Sequence, residues 1–353
     1  MPAFTGTLNS NLIFGALYNM IISQQCFSDN FSGGAGLADK ARVDGSLYGD
    51  TKLYYSTDCL KSAPWGNDAE AANLLALHRP AAPSVQAIVI DTYRQISLTI
   101  DNYLSKQAWQ DEGAFSQFTG VMLGWMGDTK KIYDFTTYNA FFGTDETALN
   151  EQTQYVTLSS LSETGEELAR LRAELIAEKI AHIIDDLTIR PNRINDLGYL
   201  RKWDKGRIKI VWNNLYVNEI TKRDLPSLFH KDDLFNEMSE VMDQIYFGTI
   251  NSAATAGDGS TVRSLIEQDI GSNHYFAGDL ILVGDTAPAG TSYTESDSII
   301  CKVIVEYPPL MSAFEVGTSF FNAKSLTENH YTTWGHNSLE HLLNYPFITV
   351  KEN

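Results

Sequence analysis

The chain has 353 residues, which is enough for one large domain or two ordinary domains with a hydrophobic core. Hydrophobic residues make up 43% of it and aromatic residues 11%, a composition typical of a folded protein and not of a disordered one. The formal net charge of −18 repels phosphate groups, so the composition argues against specific recognition of DNA or RNA.

Cysteine usage and hydropathy argue against two further classes of protein. The three cysteines, Cys26, Cys59 and Cys301, are far apart and odd in number, which is untypical of a zinc site or a disulfide framework. The first residues lack the basic and apolar regions of a secretory signal, and no stretch of about 20 apolar residues could span a bilayer. We therefore expect a protein of a reducing cytoplasm that does not associate with a membrane.

Residues 1–45 have the pattern of an N-terminal arm. Spaced apolar residues between Leu12 and Ile22 predict a short helix, and three glycines between positions 33 and 36 then interrupt it. The segment is too short to form a hydrophobic core by itself. It is therefore held either by other subunits or by packing on its own chain, and the sequence leaves both alternatives open.

Residues 46–105 predict a long β-hairpin. Leu47–Thr57 is rich in Tyr and Leu, and Val85–Leu104 alternates apolar and polar residues with a period near two. A loop with several prolines joins these two strands. A hairpin of this length cannot bury both of its faces by itself, so it must lie against another part of the protein or against another molecule.

Residues 111–142 predict one long helix. The apolar residues that fall near one of its faces are Phe115, Phe118, Met122, Trp125, Ile132 and Phe135. Gly120, Gly124 and Gly127 have the small-residue spacing that permits another backbone to approach closely. Gly143 fits the position that follows a helix C-terminus.

The rest of the chain predicts both helices and strands, so the fold class is α+β. A strand at 155–158 precedes a helix at 164–187, for which Thr164 and Glu167 form a capping box. We expect further helices at 214–225 and 232–247. Further strands are expected at 207–212, 280–283, 299–307, 313–321 and 347–350.

The sequence contains no catalytic signature. It has no Walker motif, no GxGxxG after a strand, no HExxH and no GxSxG. His330, His336 and His341 come near metal-ligand spacing, but no acidic or cysteine cluster accompanies them, which favours an ordinary polar turn.

Two groups of titratable residues can be interpreted either as functional sites or as ordinary features of helices. His182 with Asp185 and Asp186 has the spacing of a base and its carboxylate, yet a histidine near a helix C-terminus explains it better. Several acidic residues follow His230, and they suit acid–base chemistry, calcium binding or the solvated face of a helix: Asp232, Asp233, Glu237, Glu240 and Asp243. We favour the solvated face, and predict no catalytic, cofactor-binding or metal-binding residue.

The order of the elements resembles the HK97-like fold of tailed-bacteriophage major capsid proteins. Several stretches also look like capsid sequence, among them MPAFTGTLNSNLIFGALYNM, RVDGSLYGDTKLYYSTDCLK, WNNLYVNEITKRDL and GTSFFNAKSLTENHYTTWGHN. The resemblance implies an N-arm at 1–45, an E-loop hairpin at 46–105 and a P-domain with a long spine helix at 106–160. It further implies an A-domain at 161–298 and return strands at 299–353.

The resemblance implies a structural protein and no enzyme. Subunits would assemble with one another into pentamers and hexamers of an icosahedral shell, which encloses double-stranded DNA and contacts it non-specifically. The expected partners are a portal protein, a separate scaffolding protein and decoration proteins. The expected location is the virion capsid, assembled in the cytoplasm of a host bacterium. Lys52, Lys61 and Lys106 lie in or beside the E-loop hairpin, and we expect none of them to form a covalent crosslink.

Two alternatives stay open at this point. An encapsulin-type nanocompartment shell protein would have the same fold and would package enzymes in place of DNA. A carboxylate-dependent hydrolase would use the acidic residues between Asp232 and Asp243.

Overall fold

The computed structural model describes residues 34–45, 50–62, 77, 79–101, 112–145, 152–159, 161, 164–221, 239–252, 254–255 and 261–353. Residues 1–33 of the predicted arm, with the helix expected between Leu12 and Ile22, therefore lie outside the described residues, as do Lys106, His230, Asp232, Asp233 and Glu237.

The described residues form a mixed α and β structure, as predicted. The helices are Leu37–Ala41 (α1), Glu112–Gly143 (α2), Glu166–Thr188 (α3) and Asn214–Thr221 (α4). The strands in the first half of the chain are Arg42–Asp44 (β1), Thr51–Ser56 (β2), Ser84–Asp101 (β3), Thr144–Asp145 (β4), Thr153–Val156 (β5), Lys209–Asn213 (β6), Ser239–Met242 (β7) and Gly248–Ile250 (β8). Those that follow are Ala254–Thr255 (β9), Val262–Ser264 (β10), Gln268–Ile270 (β11), Asn273–Tyr275 (β12), Thr286–Ala287 (β13), Ser292–Glu295 (β14), Ile299–Ile304 (β15), Leu310–Asn322 (β16), Thr327–Asn337 (β17) and Phe347–Glu352 (β18).

The first of two compact units consists of the described residues up to Asp50, together with those within Ile90–Phe135 and Met311–Asn337. Its sheet has the order β1-β16-β17-β3, and β17 pairs antiparallel with both of its neighbours. Tyr133 of α2 packs edge-on against Trp334 of β17, with the ring centroids 5.5 Å apart. These contacts bury one side of the helix against the strands.

The second unit consists of Thr51–Val89, Thr136–Leu310 and Ser338–Asn353. Its central sheet has the order β5-β18-β15-β6-β7, in which β18 and β6 flank β15 antiparallel. Helix α3 packs on this sheet through a continuous apolar stripe that includes Ile176, Ile180 and Leu187. A second sheet, β10-β14-β8-β4, has its own small cluster around Val262 and Ile281.

The predicted hairpin is confirmed over part of its length. β2 and the first part of β3 pair antiparallel from Thr51 opposite Val89 to Ser56 opposite Ser84. Residues 90–101 of β3 pair with β17 instead, so that part of the hairpin prediction is wrong. The helix predicted at 164–187 is confirmed as α3. Its predicted capping box is wrong. The helix begins at Glu166 after Gly165, whose φ of 68° turns the chain, and no side chain caps it.

The predicted apolar face of the long helix is partly wrong. Trp125 and Ile132 are 65% and 40% exposed, whereas Met126, Lys130 and Asp134 are buried. The ammonium of Lys130 lies 3.3 Å from the carboxylate of Asp134, so an ion pair fills positions that a hydropathy pattern assigns to solvent. The tertiary partners of the helix, and not its most hydrophobic face, decide which side is buried.

Two predictions in the second half of the chain are also wrong. Residues 239–247, expected to end a helix, form β7 and a 3-10 turn at Gln244–Tyr246, because β7 extends the central sheet parallel to β6. Residues 280–283 contribute only a single bridge between Leu280 and Arg263 in place of a strand. The long strand β17 was not predicted, since its sequence TENHYTTWGHN has few apolar residues to reveal an alternation.

Candidate interaction surface

The hairpin of β2 and β3 has two faces of different character. Because side chains alternate along a strand, residues opposite one another share a face. One face, which we call the hairpin outer face, consists of exposed and mostly apolar residues: Thr51, Leu53, Tyr55, Val85, Ala87 and Val89. The other face, the hairpin inner face, is partly or fully buried: Lys52, Tyr54, Ser56, Ser84, Gln86 and Ile88.

The hairpin outer face exposes large apolar side chains to solvent. Leu53 and Val85 are each 50% exposed, Tyr55 is 65% exposed and Val89 is 38% exposed. A contiguous apolar surface on one side of a strand pair is typical of an interaction site. A strand at the edge of a sheet, such as β2, is furthermore open to association with another chain.

The hairpin inner face binds the same chain through hydrogen bonds. The hydroxyls of Ser84 and Tyr199 lie 2.5 Å apart. The amide of Gln86 makes two bonds to one backbone segment: its Nε2 donates to the carbonyl of His341 at 2.9 Å, and its Oε1 accepts from the backbone N–H of Leu343 at 3.0 Å. These bonds orient the first part of β3.

The residues that follow β2 bind a second segment. Oδ1 of Asp58 accepts from the backbone N–H of Leu200 at 3.0 Å, and its Oδ2 lies 3.2 Å from Nη1 of Arg193. The hydrogen bond from Leu200, followed by that from Cys59 and by the Arg193 guanidinium, lowers the pKa of the Asp58 carboxyl. Arg201 donates from Nη2 to the carbonyl of Thr57 at 2.5 Å.

Asp196 joins the two segments that receive the hairpin. Its backbone N–H donates to the carbonyl of Leu343 at 3.0 Å, and its carboxylate accepts hydrogen bonds from Nε2 of His341 and, at 2.7 Å, from Nε2 of Gln152. Burial acts to raise the pKa of Asp196, but the hydrogen bonds from His341 and Gln152 outweigh it and hold that pKa below its ordinary range. His341 also stacks on Phe347, with centroids 5.2 Å apart.

Helix α2 also presents apolar side chains to solvent. Trp125 is 65% exposed, and Leu123 and Ile132 are each 40% exposed. A methyl group placed on Gly120, Gly124 or Gly127 would meet no atom of the described residues within 4 Å. The described chain therefore leaves the space beside these glycines open, and the predicted close approach of another backbone stays a prediction.

The three histidines that approach metal spacing have separate structural roles. His336 belongs to the first unit, where its Nε2 accepts from the hydroxyl of Tyr133 at 2.7 Å and its Nδ1 donates to the carbonyl of Asn337 at 2.7 Å. Burial lowers the pKa of His336 and favours the neutral ring. His341 belongs to the second unit, and His330 lies 3.8 Å from Glu328. Within the described ranges, no group of three or more His, Cys, Asp or Glu residues could hold a metal ion.

The proposed acid–base residues are likewise engaged in local structure. His182 is exposed and faces Glu178 at 3.5 Å, while Asp186 pairs with Arg190 at 2.8 Å. Further along the chain, Glu240 accepts a hydrogen bond from the hydroxyl of Tyr307 at 2.6 Å. The side chain of Asp243 caps the 3-10 turn that follows it.

The lysines expected to form no crosslink occupy different positions. Lys52 lies on the hairpin inner face and Lys61 is exposed. Cys59 and Cys301 are free thiols, the first exposed and the second buried.

A fully buried lysine was not singled out in the sequence. Lys302 lies in the centre of β15, donates from Nζ to the carbonyl of Thr144 at 2.9 Å and sits 4.9 Å from the ring centroid of Phe347. Burial lowers the pKa of Lys302 to about 8, although the nearby Asp145 carboxylate opposes the shift. A single lysine inside the apolar run IICKVI gives no signal that distinguishes it from a solvent-facing residue of an edge strand.

No helix in the described part of the chain is both long enough and apolar enough to cross a membrane.

Comparison with known proteins finds the same fold in phage structures. No family model matches the sequence, and no curated protein matches it. A chain of the capsid structure of Staphylococcus phage Andhra superposes with a TM-score of 0.62 at 11% identity, covering 93% of this chain and 87% of that one. A chain of the structure of the head fiber and inner core protein gp22 of native bacteriophage P68 gives a TM-score of 0.61 at 10% identity, with the same coverage of 93% and 87%.

The chain therefore has the fold found in phage capsid structures, consistent with the HK97-like fold that the element order predicts.

Proposed function

We propose that this chain is the major capsid protein of a tailed bacteriophage. Its subunits form pentamers and hexamers of an icosahedral shell that encloses double-stranded DNA. The observation that carries the proposal is the shared fold, which extends over 93% of the chain in the comparison with the Andhra capsid structure. The location of the protein in this proposal is the virion capsid, after assembly in the cytoplasm of the host bacterium.

The hairpin outer face supports the proposal from an independent direction. In the single chain its large apolar side chains are exposed to solvent, and the hydration of their apolar surface is unfavourable: Leu53, Tyr55, Val85 and Val89. A neighbouring subunit that covers this face removes the apolar surface from water. The interaction is then the same at every position of a symmetric shell, so a modest contact free energy per subunit is repeated many times.

The charge of the chain supports a container for DNA. With 44 acidic and 26 basic residues, a wall of such subunits repels the phosphate backbone and does not adsorb it. Contacts with the packaged DNA are therefore non-specific in this proposal. The further partners we propose are a portal protein, a separate scaffolding protein and decoration proteins.

Electron microscopy of the purified protein tests the proposal. The chain is expressed alone and together with the scaffolding protein of its phage, and the products are examined by negative stain and by analytical ultracentrifugation. We expect closed shells of uniform diameter. Protein that stays monomeric under both conditions, or that forms rings or open tubes, would contradict the proposal.

A further inference from the structure

The hairpin is bound to its own subunit by a polar site that two segments of the chain build together. One segment contributes Tyr199 and the backbone of Leu200, and the other contributes the backbone of His341 and Leu343. We call this site the hairpin cradle; it also includes the side chains of Arg193, Asp196 and Arg201.

The hairpin cradle is itself held in one shape. Asn195 exchanges two hydrogen bonds with the backbone of Tyr199, at 2.7 Å and 2.9 Å, and so closes the turn that carries Tyr199 and Leu200. Asp196 ties this turn to the other segment through the carbonyl of Leu343 and the ring of His341. Two segments far apart in the sequence are therefore fixed relative to one another by bonds that do not involve the hairpin.

The contacts between the hairpin and the hairpin cradle set the orientation of the hairpin and contribute little to the stability of the subunit. The side-chain amide of Gln86 bonds a donor and an acceptor of one backbone segment, which sets both the position and the tilt of β3. Asp58, located just beyond β2, accepts from the backbone N–H of Leu200 and pairs with the guanidinium of Arg193 at the second segment. Hydrogen bonds and ion pairs that solvent reaches contribute little net free energy, so the hairpin is oriented without being fixed irreversibly.

We propose that the hairpin cradle is a positioning site for assembly, which presents the hairpin outer face to a second copy of this chain at a defined angle. The inference rests on the proposed shell function. The second copy is the occupant because the outer face is apolar and lacks the charges that attract DNA, while every subunit of a shell offers the same surfaces to its neighbours. An oriented face associates faster and more tightly than a mobile one, since less conformational entropy is lost on contact.

Gln86→Ala is the first variant to test, because it removes both bonds to the segment at 341–343 and leaves the hairpin outer face unchanged. Hydrogen–deuterium exchange on the unassembled subunit should show the amides of β2 and of residues 84–89 exchanging roughly five- to tenfold faster. The melting temperature of the variant subunit should equal that of the unaltered subunit within experimental error. Light scattering should show slower assembly and a critical concentration raised by a similar factor.

Two further variants sharpen the test. Asp58→Ala removes both bonds that Asp58 makes to the second segment, whereas Asp58→Asn keeps an acceptor for the N–H of Leu200 and loses only the ion pair with Arg193. We expect the alanine variant to behave like Gln86→Ala and the asparagine variant to lie between it and the unaltered protein. Gln95→Ala is the matched control, since Gln95 lies on the same strand, is exposed and has a side chain that bonds Thr333 at 3.0 Å and not the cradle.

The outcomes separate this inference from the proposed function. Unchanged exchange in Gln86→Ala and Asp58→Ala would overturn it, because the cradle would then not hold the hairpin. Faster exchange with unchanged assembly would overturn it as well, since the orientation of the hairpin would not matter. If the unaltered protein forms no shells, the proposed function fails, and with it the role of the cradle in assembly, whatever the exchange rates are.

Discussion

Replacing Leu53 with alanine tests whether the hairpin outer face is an assembly contact. Leu53 lies in the middle of β2 and is 50% exposed in the single chain. Full burial of a leucine side chain is worth about 1.5–3 kcal/mol, so covering the exposed half stabilises a contact by about 1 kcal/mol. At about 1.4 kcal/mol per factor of ten, the loss of that contribution raises the critical concentration of assembly roughly fivefold.

The assay measures the free subunit that coexists with shells. Shells and subunits are separated by sedimentation at several total concentrations, and the plateau of free subunit gives the critical concentration. Ile189→Ala is the matched control, because Ile189 is 69% exposed beyond the end of α3 and loses the same atoms on substitution. We expect no effect of the control on assembly and no effect of either variant on the circular dichroism of the subunit.

Val85→Glu is the stronger form of the same perturbation. It places a carboxylate on the hairpin outer face, and burying an unpaired charge costs far more than losing a methyl group. Assembly should then fail while the subunit stays folded. Normal shells from both Leu53→Ala and Val85→Glu would refute the reasoning, since the exposed apolar surface would have no role in assembly.

Three further predictions concern the subunit itself. Because the folded pKa of Asp196 is lowered, its contribution to stability is present above the ordinary value of 3.8 and is lost as the pH falls through the lower folded value. Urea titrations should therefore show unaltered protein and Asp196→Asn converging in free energy of unfolding only below about pH 4. The pKa of Lys302 is about 8 in the folded protein, against an ordinary value of 10.5. Between these two pH values the unfolded state binds more protons than the folded state, so the free energy of unfolding rises with pH. The free energy of unfolding of the unaltered protein, measured relative to Lys302→Met, should increase by roughly 2–3 kcal/mol between pH 7 and pH 10, and a constant difference would contradict a neutralising buried lysine. Gly143→Ala places a methyl group 2.2 Å from the carbonyl oxygen of Tyr246 and should lower the free energy of unfolding by about 3 kcal/mol, as differential scanning calorimetry can show. Gly124→Ala meets open space in the same helix and should raise it by about 1 kcal/mol, so equal effects of the two substitutions would show that local propensity and not packing governs α2.

The hairpin shows what the local alternation of apolar and polar residues predicts and what it does not. The period of two in residues 85–104 indicated a strand, and the structure confirms it as β3. The pattern could not tell which face is covered, because Leu53, Tyr55 and Val85 are as apolar as residues that pack in a core. The inner face is covered through Gln86, a polar residue that hydropathy assigns to solvent.

The hairpin cradle shows which contacts local patterns in the sequence do not predict. Apart from His341, none of the residues that build the hairpin cradle was singled out from the sequence, because asparagine, aspartate and tyrosine are common in surface loops. Their role depends on segments about 140 residues apart in sequence, as between Asp196 and His341, and no local rule predicts such a contact. A rule of local spacing had instead singled out His330, His336 and His341, which the structure assigns to unrelated environments.

Local chemistry in the sequence determined the class of the fold, the two strands of the hairpin, the extent of the two long helices and the resemblance to phage capsid proteins. These features depend on the alternation of neighbouring residues and on their order along the chain, which a sequence displays directly. Only the tertiary structure decided that β7 continues a sheet, that α2 buries Lys130 and exposes Trp125, and that the hairpin inner face binds its own subunit. The physical reason is that burial is a property of pairs of surfaces. A side chain is covered when a partner distant in the sequence gains free energy by covering it, and the residue alone does not carry that information.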